Sequence, residues 1–301
     1  MHNPKRPLVR AAAGSGMAAA ALGASLLLAG AASASAHVTP STTGPTIATT
    51  NAAGYQASGR DFRYISSTIT IPDDSFASLY GGLYPAEYIQ LSNGSLNEWQ
   101  TPSGDEYVRA GIETCQVAQT ASSSLVCPST NEWVVFVEYF NNSLNGPFMA
   151  HYLPLPNVQQ GDGVNFSIYY DQGGNELHFT ITPPSTDGPE QFYKTQAYGP
   201  VFDHAAALND FLNSSGNAPI GLPPFVEPFQ VNSFLQGALT TYSGAKGSFV
   251  GPWATSEVEA TSNGLPYPSG TVRANPHALY GDGLPANGAV RGSDAFDEYA
   301  R

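Results

Sequence analysis

Hydrophobic and polar residues alternate along much of the chain, and this two-residue period is typical of β-strands with one buried face. The alternating segments lie at 63–72, 86–91, 106–113, 133–140, 163–170, 176–182, 229–240, 256–260 and 271–274. Clusters of Gly, Asn, Asp and Ser lie between them and indicate turns. Many short strands at this spacing predict an all-β protein, a jelly-roll β-sandwich of two antiparallel sheets in a single domain.

Segment 203–212, with the sequence DHAAALNDFL, is the one helix candidate. Its apolar spacing is compatible with a helix and equally compatible with non-helical structure. The sequence leaves this segment open.

The alternation also assigns side chains to the faces of the predicted strands. In 106–113 and 133–140 one side is apolar and belongs between the sheets. The other side carries aromatic and charged residues, namely Tyr107, Arg109, Glu113, Phe136, Glu138 and Phe140. Such a surface suits a binding groove on the outside of a sheet, because rings and a few polar anchors can hold a polymer. An exposed sheet face with a surface salt bridge is the alternative interpretation.

The ends of the chain differ in composition from its middle. Residues 1–36 have a basic start, an apolar stretch and an Ala-Ser-Ala site, which together predict a cleaved signal peptide and a secreted protein. Residues 37–50 are rich in Thr, Ser and Pro and predict a flexible leader. The β-sandwich is expected over 51–280, and 281–301 is expected to be a loosely ordered tail. Cys115 and Cys127 are the only cysteines, and in an exported chain they predict one disulfide.

Charge and composition exclude several classes of partner. The chain has 11 Lys and Arg against 24 Asp and Glu, a formal charge of −13 and a pI near 4.6. An acidic surface lacks the basic footprint that nucleic acids and anionic membranes need, so neither is expected as a partner once the signal peptide is removed. We expect a monomer without a cofactor.

Five segments in order resemble a known family. They are NAAGY at 51–55 followed by YISSTITIP, EYIQL at 87–91, YVRAGI at 107–112, FVEYF at 136–140 and TQAYGPVFD at 195–203. In the same order, they are similar to five segments of the glutamic peptidases (eqolisins, scytalidopepsin B type). The family segments are Asn-Trp-x-Gly followed by a strand that ends in Val-Pro, then Trp-Val-Gly-Ile-Asp, Ile-Leu-Gln-Thr-Gly, Trp-Tyr-Glu-Trp-Tyr and Thr-Asn-Ala-Glu-Phe-Ile-Ile-Glu-Asp. The resemblance is collinear over about 51–243 and implies a jelly-roll sandwich with a peptide cleft on one sheet.

In that family a glutamate acts as general base and then proton donor, and a glutamine stabilises the oxyanion. The resemblance places Arg109 at the glutamine position and Phe202 at the glutamate position, with Asp203 one residue further on. Glu138 matches a groove glutamate that is not part of the catalytic pair. If Arg109 and Glu138 meet at about 4 Å, their attraction predicts a lowered pKa for the carboxyl and a poor proton donor.

Three functions follow from this comparison. The first is a groove for extended peptide chains that does not cut them, with Tyr88, Tyr107 and Phe136 as substrate-binding residues. The second is an acid endopeptidase with an altered catalytic site formed by Arg109, Glu138 and Asp203. The third is a polysaccharide-binding or structural protein of the cell envelope.

Two other chemistries receive little support from the sequence. His37 at a mature N-terminus could begin a copper site with a second histidine, but the leader is too mobile to hold a metal, and no metal site is expected. Ser243 and Lys246 have the spacing of serine acylases, but Gly244 opposes the helix that this site needs, so a turn is expected.

Overall fold

The computed structural model of the protein describes residues 44–50, 52–71, 83–96, 106–115, 133–141, 146–154, 162–184, 189–213, 229–241, 243–247, 249, 252–261, 269, 272–278 and 296–300. Their regular structure is β-strand, and every pairing except that of the first strand is antiparallel. In this described part no helix is long and apolar enough to cross a membrane.

The strands, in chain order, are β1 (Ile47–Thr49), β2 (Ala52–Thr70), β3 (Leu83–Ser92), β4 (Glu106–Thr114), β5 (Trp133–Asn141), β6 (Gly146–Pro154), β7 (Gly163–Asp171), β8 (Glu176–Thr182), β9 (Gln191–Gln196), β10 (Phe202–Asn213), β11 (Phe229–Thr241), β12 (Lys246–Gly247), β13 (Ala254–Thr261), β14 (Val272–Ala278) and β15 (Phe296–Ala300).

These strands form one curled sheet that folds into two layers. The front layer has the order β1, β13, β2, β10, β3, β4, β5, β6, and the back layer has β9, β8, β7, β2, β11, β15, β14. Strand β2 belongs to both layers, because its first half pairs with β10 and β13 while its second half pairs with β7 and β11. The predicted all-β jelly-roll sandwich is confirmed, and its two layers are joined both through the shared strand β2 and through the pairing of β13 with β14.

The passage of β2 between layers has a local backbone signature. Asp61 has a φ of 54°, in the left-handed region that L-residues other than Asn and Asp rarely adopt. The register of β10 against β2 shifts at the same place, between Phe202 and His204. A positive φ and a register shift together let one strand turn out of one layer and into the other.

A single apolar core fills the space between the layers. Its members alternate along each strand and come from both layers, including Ile89, Val108 and Val137 in front and Phe166 and Phe179 behind. These residues are 0–1% exposed. The inward positions predicted for 106–113 and 133–140 are therefore the ones that the core uses, and the residues between them face outward on the front layer.

The structure has strands at three places where the sequence predicted none. The helix candidate at 203–212 is strand β10, because it lies between β2 and β3 and pairs with both. The leader predicted for 37–50 contains β1, which pairs with β13, and the tail predicted for 281–301 contains β15, which pairs with β11 and β14. In each case long-range hydrogen bonding decides the conformation where local composition indicates none. The predicted signal peptide lies outside the described residues.

Candidate functional site

The site residues come together because four strands run side by side across the front layer. Arg109 on β4 lies directly opposite Glu138 on β5 and opposite Gln90 on β3. Gln90 is in turn opposite Ala206 on β10. Residues in register across a sheet point to the same face, so these side chains form one row on the outside of the front layer. We call the surface formed by Gln90, Tyr107, Arg109 and Glu138 the Arg109 face.

The guanidinium of Arg109 is held between two aromatic rings. Its Cζ atom lies 4.2 Å from the centroid of the Tyr107 ring and 4.7 Å from that of Tyr88. The Nε–H donates to Oε1 of Gln90 at 2.7 Å, and Nη1 lies 4.0 Å from Oε2 of Glu138. Cation–π contacts on the rings and a directed hydrogen bond leave this side chain little rotamer freedom. Arg109 is thus a preorganised positive charge.

A glycine makes room for this arrangement. Gly111 lies opposite Tyr88, on the same face as Arg109. A Cβ atom at Gly111 would lie 1.9 Å from the carbonyl oxygen of Glu87 and 2.7 Å from Cβ of Tyr88. No side chain fits there, and the absence of one lets the Tyr88 ring lie beside the guanidinium.

Two further carboxyls lie on the same side of the layer. Asp210 on β10 and Glu113 on β4 are both in register with Ala86 on β3, one on each side of it. Asp210 accepts a hydrogen bond from the Tyr88 hydroxyl at 2.5 Å, while Oδ1 of Asp210 and Oε1 of Glu113 have no hydrogen-bond partner among the described residues. They are 3% and 6% exposed.

Burial changes the acidity of both groups. It raises the pKa of Glu113 to about 8, with a further increase from the negative charge of Glu138 and a decrease from Arg109. Burial likewise raises the pKa of Asp210 to about 6, against the opposing effects of Arg109 and the Tyr88 hydroxyl. At mildly acidic pH both carboxyls are therefore protonated, and the positive charge of Arg109 prevails locally.

The predicted pKa shift of Glu138 was wrong in sign. The structure brings Arg109 and Glu138 together as expected, and Glu138 also accepts from the Tyr107 hydroxyl at 3.5 Å. Burial nevertheless raises the pKa of Glu138, because the cost of desolvating the carboxylate exceeds the stabilisation from Arg109 and Tyr107. A separation of 4.0 Å is too long for a close ion pair to reverse this balance.

The structure does not bring the other two predicted catalytic positions to Arg109. Phe202 is fully buried in the core between the layers and packs edge-on against Tyr170. Asp203 instead accepts from the backbone N–H of Gly94 at 2.7 Å and contacts Nδ1 of His204 at 2.7 Å. The register shift at the start of β10 separates them from the Arg109 face, and the β10 residue in the row of Arg109 is Ala206.

Of the predicted substrate-binding residues, Tyr107 is half-buried and stacks on Phe140, with ring centroids 5.0 Å apart. Tyr88 and Phe136 are only 1% and 5% exposed. These two rings pack with Leu96, Ala206, Leu208 and Val258. They form the floor beneath the Arg109 face, so contact with a ligand is expected at Tyr107, Arg109 and Glu138.

Asp210 and Gln90 were missed by the sequence analysis. Asp210 fell in the helix candidate, although reading DHAAALNDFL as a strand puts His204, Ala206, Leu208 and Asp210 on one face. Gln90 carried no charge and no motif. Glu113 was assigned to the correct face, but nothing local indicated how deeply it would be buried.

The remaining candidates from the sequence are the two cysteines, His37 and Ser243. Cys115 is buried at the end of β4, and its predicted partner Cys127 lies outside the described residues, so the disulfide stays a prediction. His37 also lies outside the described residues. Ser243 lies in a turn closed by the hydrogen bond from Gly244 N–H to the Thr241 carbonyl. Among the residues that the structure describes, no group of three or more His, Cys, Asp or Glu could hold a metal ion.

No protein-family model and no curated protein matches the chain. Among solved structures it is similar to SCP-B, a member of the eqolisin family of peptidases in complex with the tripeptide Ala-Ile-His, with 12% identity, a TM-score of 0.47, and coverage of 83% of this chain and 97% of that one. It is also similar to basic winged bean lectin with Tn-antigen, with 15% identity, a TM-score of 0.30, and coverage of 59% and 66%. The resemblance to eqolisins found in the sequence thus recurs among solved structures, as a similarity that says nothing about activity.

Proposed function

We propose that the Arg109 face binds an extended peptide chain and that Arg109 anchors it through a carboxylate or carbonyl oxygen. The observation that carries this proposal is the position of the guanidinium, clamped between Tyr88 and Tyr107 in a row with Gln90 and Glu138. An arginine held in one orientation loses little entropy when a ligand binds. Its partial exposure, 15% of the side chain, leaves it within reach of a ligand.

The surroundings of Arg109 favour binding over cutting. The general-base chemistry of a peptidase needs a second functional group facing the anchor across the cleft. In the row of Arg109 the residue on β10 is Ala206, which has no functional group. The bound peptide is therefore expected to dissociate from the face without being cleaved.

Peptide binding can be measured by fluorescence anisotropy with dye-labelled β-casein, an unfolded protein, at about pH 4 and about pH 7. Arg109→Met removes every donor of the anchor and keeps its bulk, and we expect affinity to fall about tenfold or more, as for a lost hydrogen bond to a charged group. Arg63→Gln, which changes an arginine on β2, serves as the matched control. Equal affinities of Arg109→Met and the unmodified chain would contradict the proposal.

A second function, acid hydrolysis of the bound chain, is favoured by the raised pKa of Glu138. A carboxyl whose pKa lies closer to the working pH can accept a proton from water and later give it up. Water would attack the peptide carbonyl, Glu138 would take its proton, Arg109 would stabilise the oxyanion, and the proton would pass to the amine as the C–N bond breaks.

Electrophoresis of β-casein after incubation with the purified chain at about pH 3 and at about pH 6 separates the two functions, because a carboxyl with a raised pKa is protonated at the lower pH and acts as general base more readily at the higher one. Peptide binding alone predicts an intact band. Acid hydrolysis predicts fragments that disappear with Glu138→Gln and persist with Glu190→Gln, a carboxyl on an exposed loop. Fragments that persist in Glu138→Gln would exclude Glu138 as the proton-transfer group.

We also propose that the chain is exported and that cleavage follows Ala36, on the basis of the signal-like residues 1–36. The protein recovered from the culture medium should then begin at His37 when its N-terminus is sequenced. A protein that stays inside the cells with residues 1–36 attached would contradict export.

A further inference from the structure

A second surface with ligand-binding character lies on the outside of the back layer. It is a groove of about 580 Å³, and its lining includes Tyr64, Tyr169, His178 and Phe192. We call it the outer aromatic groove. Because the core lies between the layers, this groove and the Arg109 face are on opposite sides of the sandwich.

Strand register aligns the aromatic side chains of the groove. Tyr64 on β2 is opposite Tyr169 on β7, and Tyr169 is opposite His178 on β8. In the next row Ser167, Thr180 and Phe192 follow one another across β7, β8 and β9. Rings and hydroxyls therefore alternate over four neighbouring strands, and strands two apart are about 10 Å from each other.

The rings are open to solvent. Phe192 is 68% exposed and Tyr169 is 38% exposed, two of the few large apolar side chains on the described surface. A sheet face that only needs to be soluble carries polar side chains at such positions. A cluster of exposed rings beside hydroxyl groups is instead suited to a ligand that has both apolar faces and hydroxyls.

The charges beside the groove neutralise each other. The Nζ atom of Lys194 lies 3.0 Å from Oε1 of Glu176, and Nε2 of His178 lies 3.4 Å from Oε2 of the same carboxylate. The Glu176 carboxylate thus offsets the positive charge that an acidic ligand would need for binding. This favours an uncharged ligand over an acidic or basic peptide.

We propose that the outer aromatic groove binds a neutral polysaccharide built of flat, equatorially linked sugar rings. The faces of two successive sugars would stack on Tyr169 and Phe192, and their hydroxyls would exchange hydrogen bonds with Ser167, Thr180 and Lys194. The inference is independent of the proposed peptide binding, because it uses the other side of the molecule.

Depletion of the full chain from solution by microcrystalline cellulose and by chitin powder tests the proposal. We expect retention on at least one of them, unchanged between low and high salt, because no net charge is involved. Phe192→Ala and Tyr169→Ala should each weaken binding about tenfold, whereas Phe192→Trp should retain it. Tyr198→Ala is the matched control, because Tyr198 is 52% exposed and does not line the groove.

Several results would overturn the proposal. The first is that neither polysaccharide retains the unmodified chain, and the second is that Phe192→Ala is retained as well as the unmodified chain. The third is that Arg109→Met is not retained, which would place the polysaccharide site on the Arg109 face. Binding of dye-labelled β-casein that Phe192→Ala abolishes, without polysaccharide binding, would assign the groove to peptides. The three residues substituted in the groove test, Tyr169, Phe192 and Tyr198, are surface side chains. Loss of binding with an unchanged circular dichroism spectrum therefore reports on the groove.

Discussion

At the scale of single residues, burial dominates charge on the Arg109 face. Glu138 lies next to an arginine, and its pKa is nevertheless raised. The same balance acts on Asp210, whose carboxylate accepts one hydrogen bond from the described residues, from the Tyr88 hydroxyl. The free-energy cost of desolvating a carboxylate exceeds the stabilisation that one cation at a distance provides. The positive charge of Arg109 and the hydrogen bond from Tyr88 both stabilise the Asp210 carboxylate, and together they do not offset its burial.

Tyr88→Phe should lower the free energy of unfolding by about 1.5–3 kcal/mol near pH 7, the range for a hydrogen bond to a charged group. The loss should be smaller below the Asp210 pKa of about 6, where the carboxyl is protonated. Denaturant unfolding of the variant at the two pH values measures both effects.

The matched control for this prediction is Tyr152→Phe. Tyr152 packs against the same apolar cluster, and its hydroxyl has no hydrogen bond to the described residues. An equal loss of stability in the two variants would show that the ring environment, and not the bond to Asp210, is responsible.

At the scale of elements, two strands place the site. Strand β10 inserts between β2 and β3 and carries Asp210 to the Arg109 face. Strand β2 joins the two layers, and its change of direction includes Asp61 in the left-handed region. Both features depend on backbone geometry that no regular alternation of residues encodes.

Asp61→Val should lower the free energy of unfolding by about 1–2 kcal/mol, because a β-branched residue fits the left-handed region poorly. Asp61→Gly is the matched control and should cost nothing from this source, since glycine adopts a positive φ readily. Chemical denaturation compares the two variants. If both lose the same stability, the aspartate side chain itself matters and backbone strain does not explain the effect.

At the scale of the whole molecule, the buried carboxyls make stability depend on pH. The folded pKa of Glu113 is about 8 and that of Asp210 about 6, both above the ordinary values of 4.5 and 3.8 for these side chains. At a pH between the ordinary pKa and the folded pKa, the carboxyl has lost its proton in the unfolded chain and keeps it in the folded chain. Stability therefore falls as pH rises, from about 4 until about 8.

Thermal unfolding should show a higher Tm near pH 4.5 than near pH 8.5, and Glu113→Gln should reduce this difference. Each pKa unit corresponds to about 1.4 kcal/mol, so the effect of Glu113 is of the order of a few kcal/mol. Glu190→Gln, on an exposed loop, is the matched control. A Tm that rises with pH in the unmodified chain would contradict the raised pKa values of Glu113 and Asp210.

The sequence was sufficient for the fold class and for part of the site. Alternation in 106–113 and 133–140 placed Arg109 and Glu138 outward and their neighbours inward, and the structure agrees. It was insufficient for Phe202 and Asp203, because a register shift breaks the alternation there. It also missed Asp210, since the alanine-rich segment around it has a local preference for helix that pairing with β2 and β3 overrides.

The pattern along the chain by itself determined which residues of a strand share a face, because that depends only on the two-residue repeat of an extended backbone. The tertiary structure alone decided which strands are neighbours, since pairings such as β10 with β3 join segments far apart in the chain. That choice gathered Asp210, Glu113 and Glu138 around one arginine. It also set their depth of burial, and depth of burial, more than residue type, determines the acidity of these carboxyls.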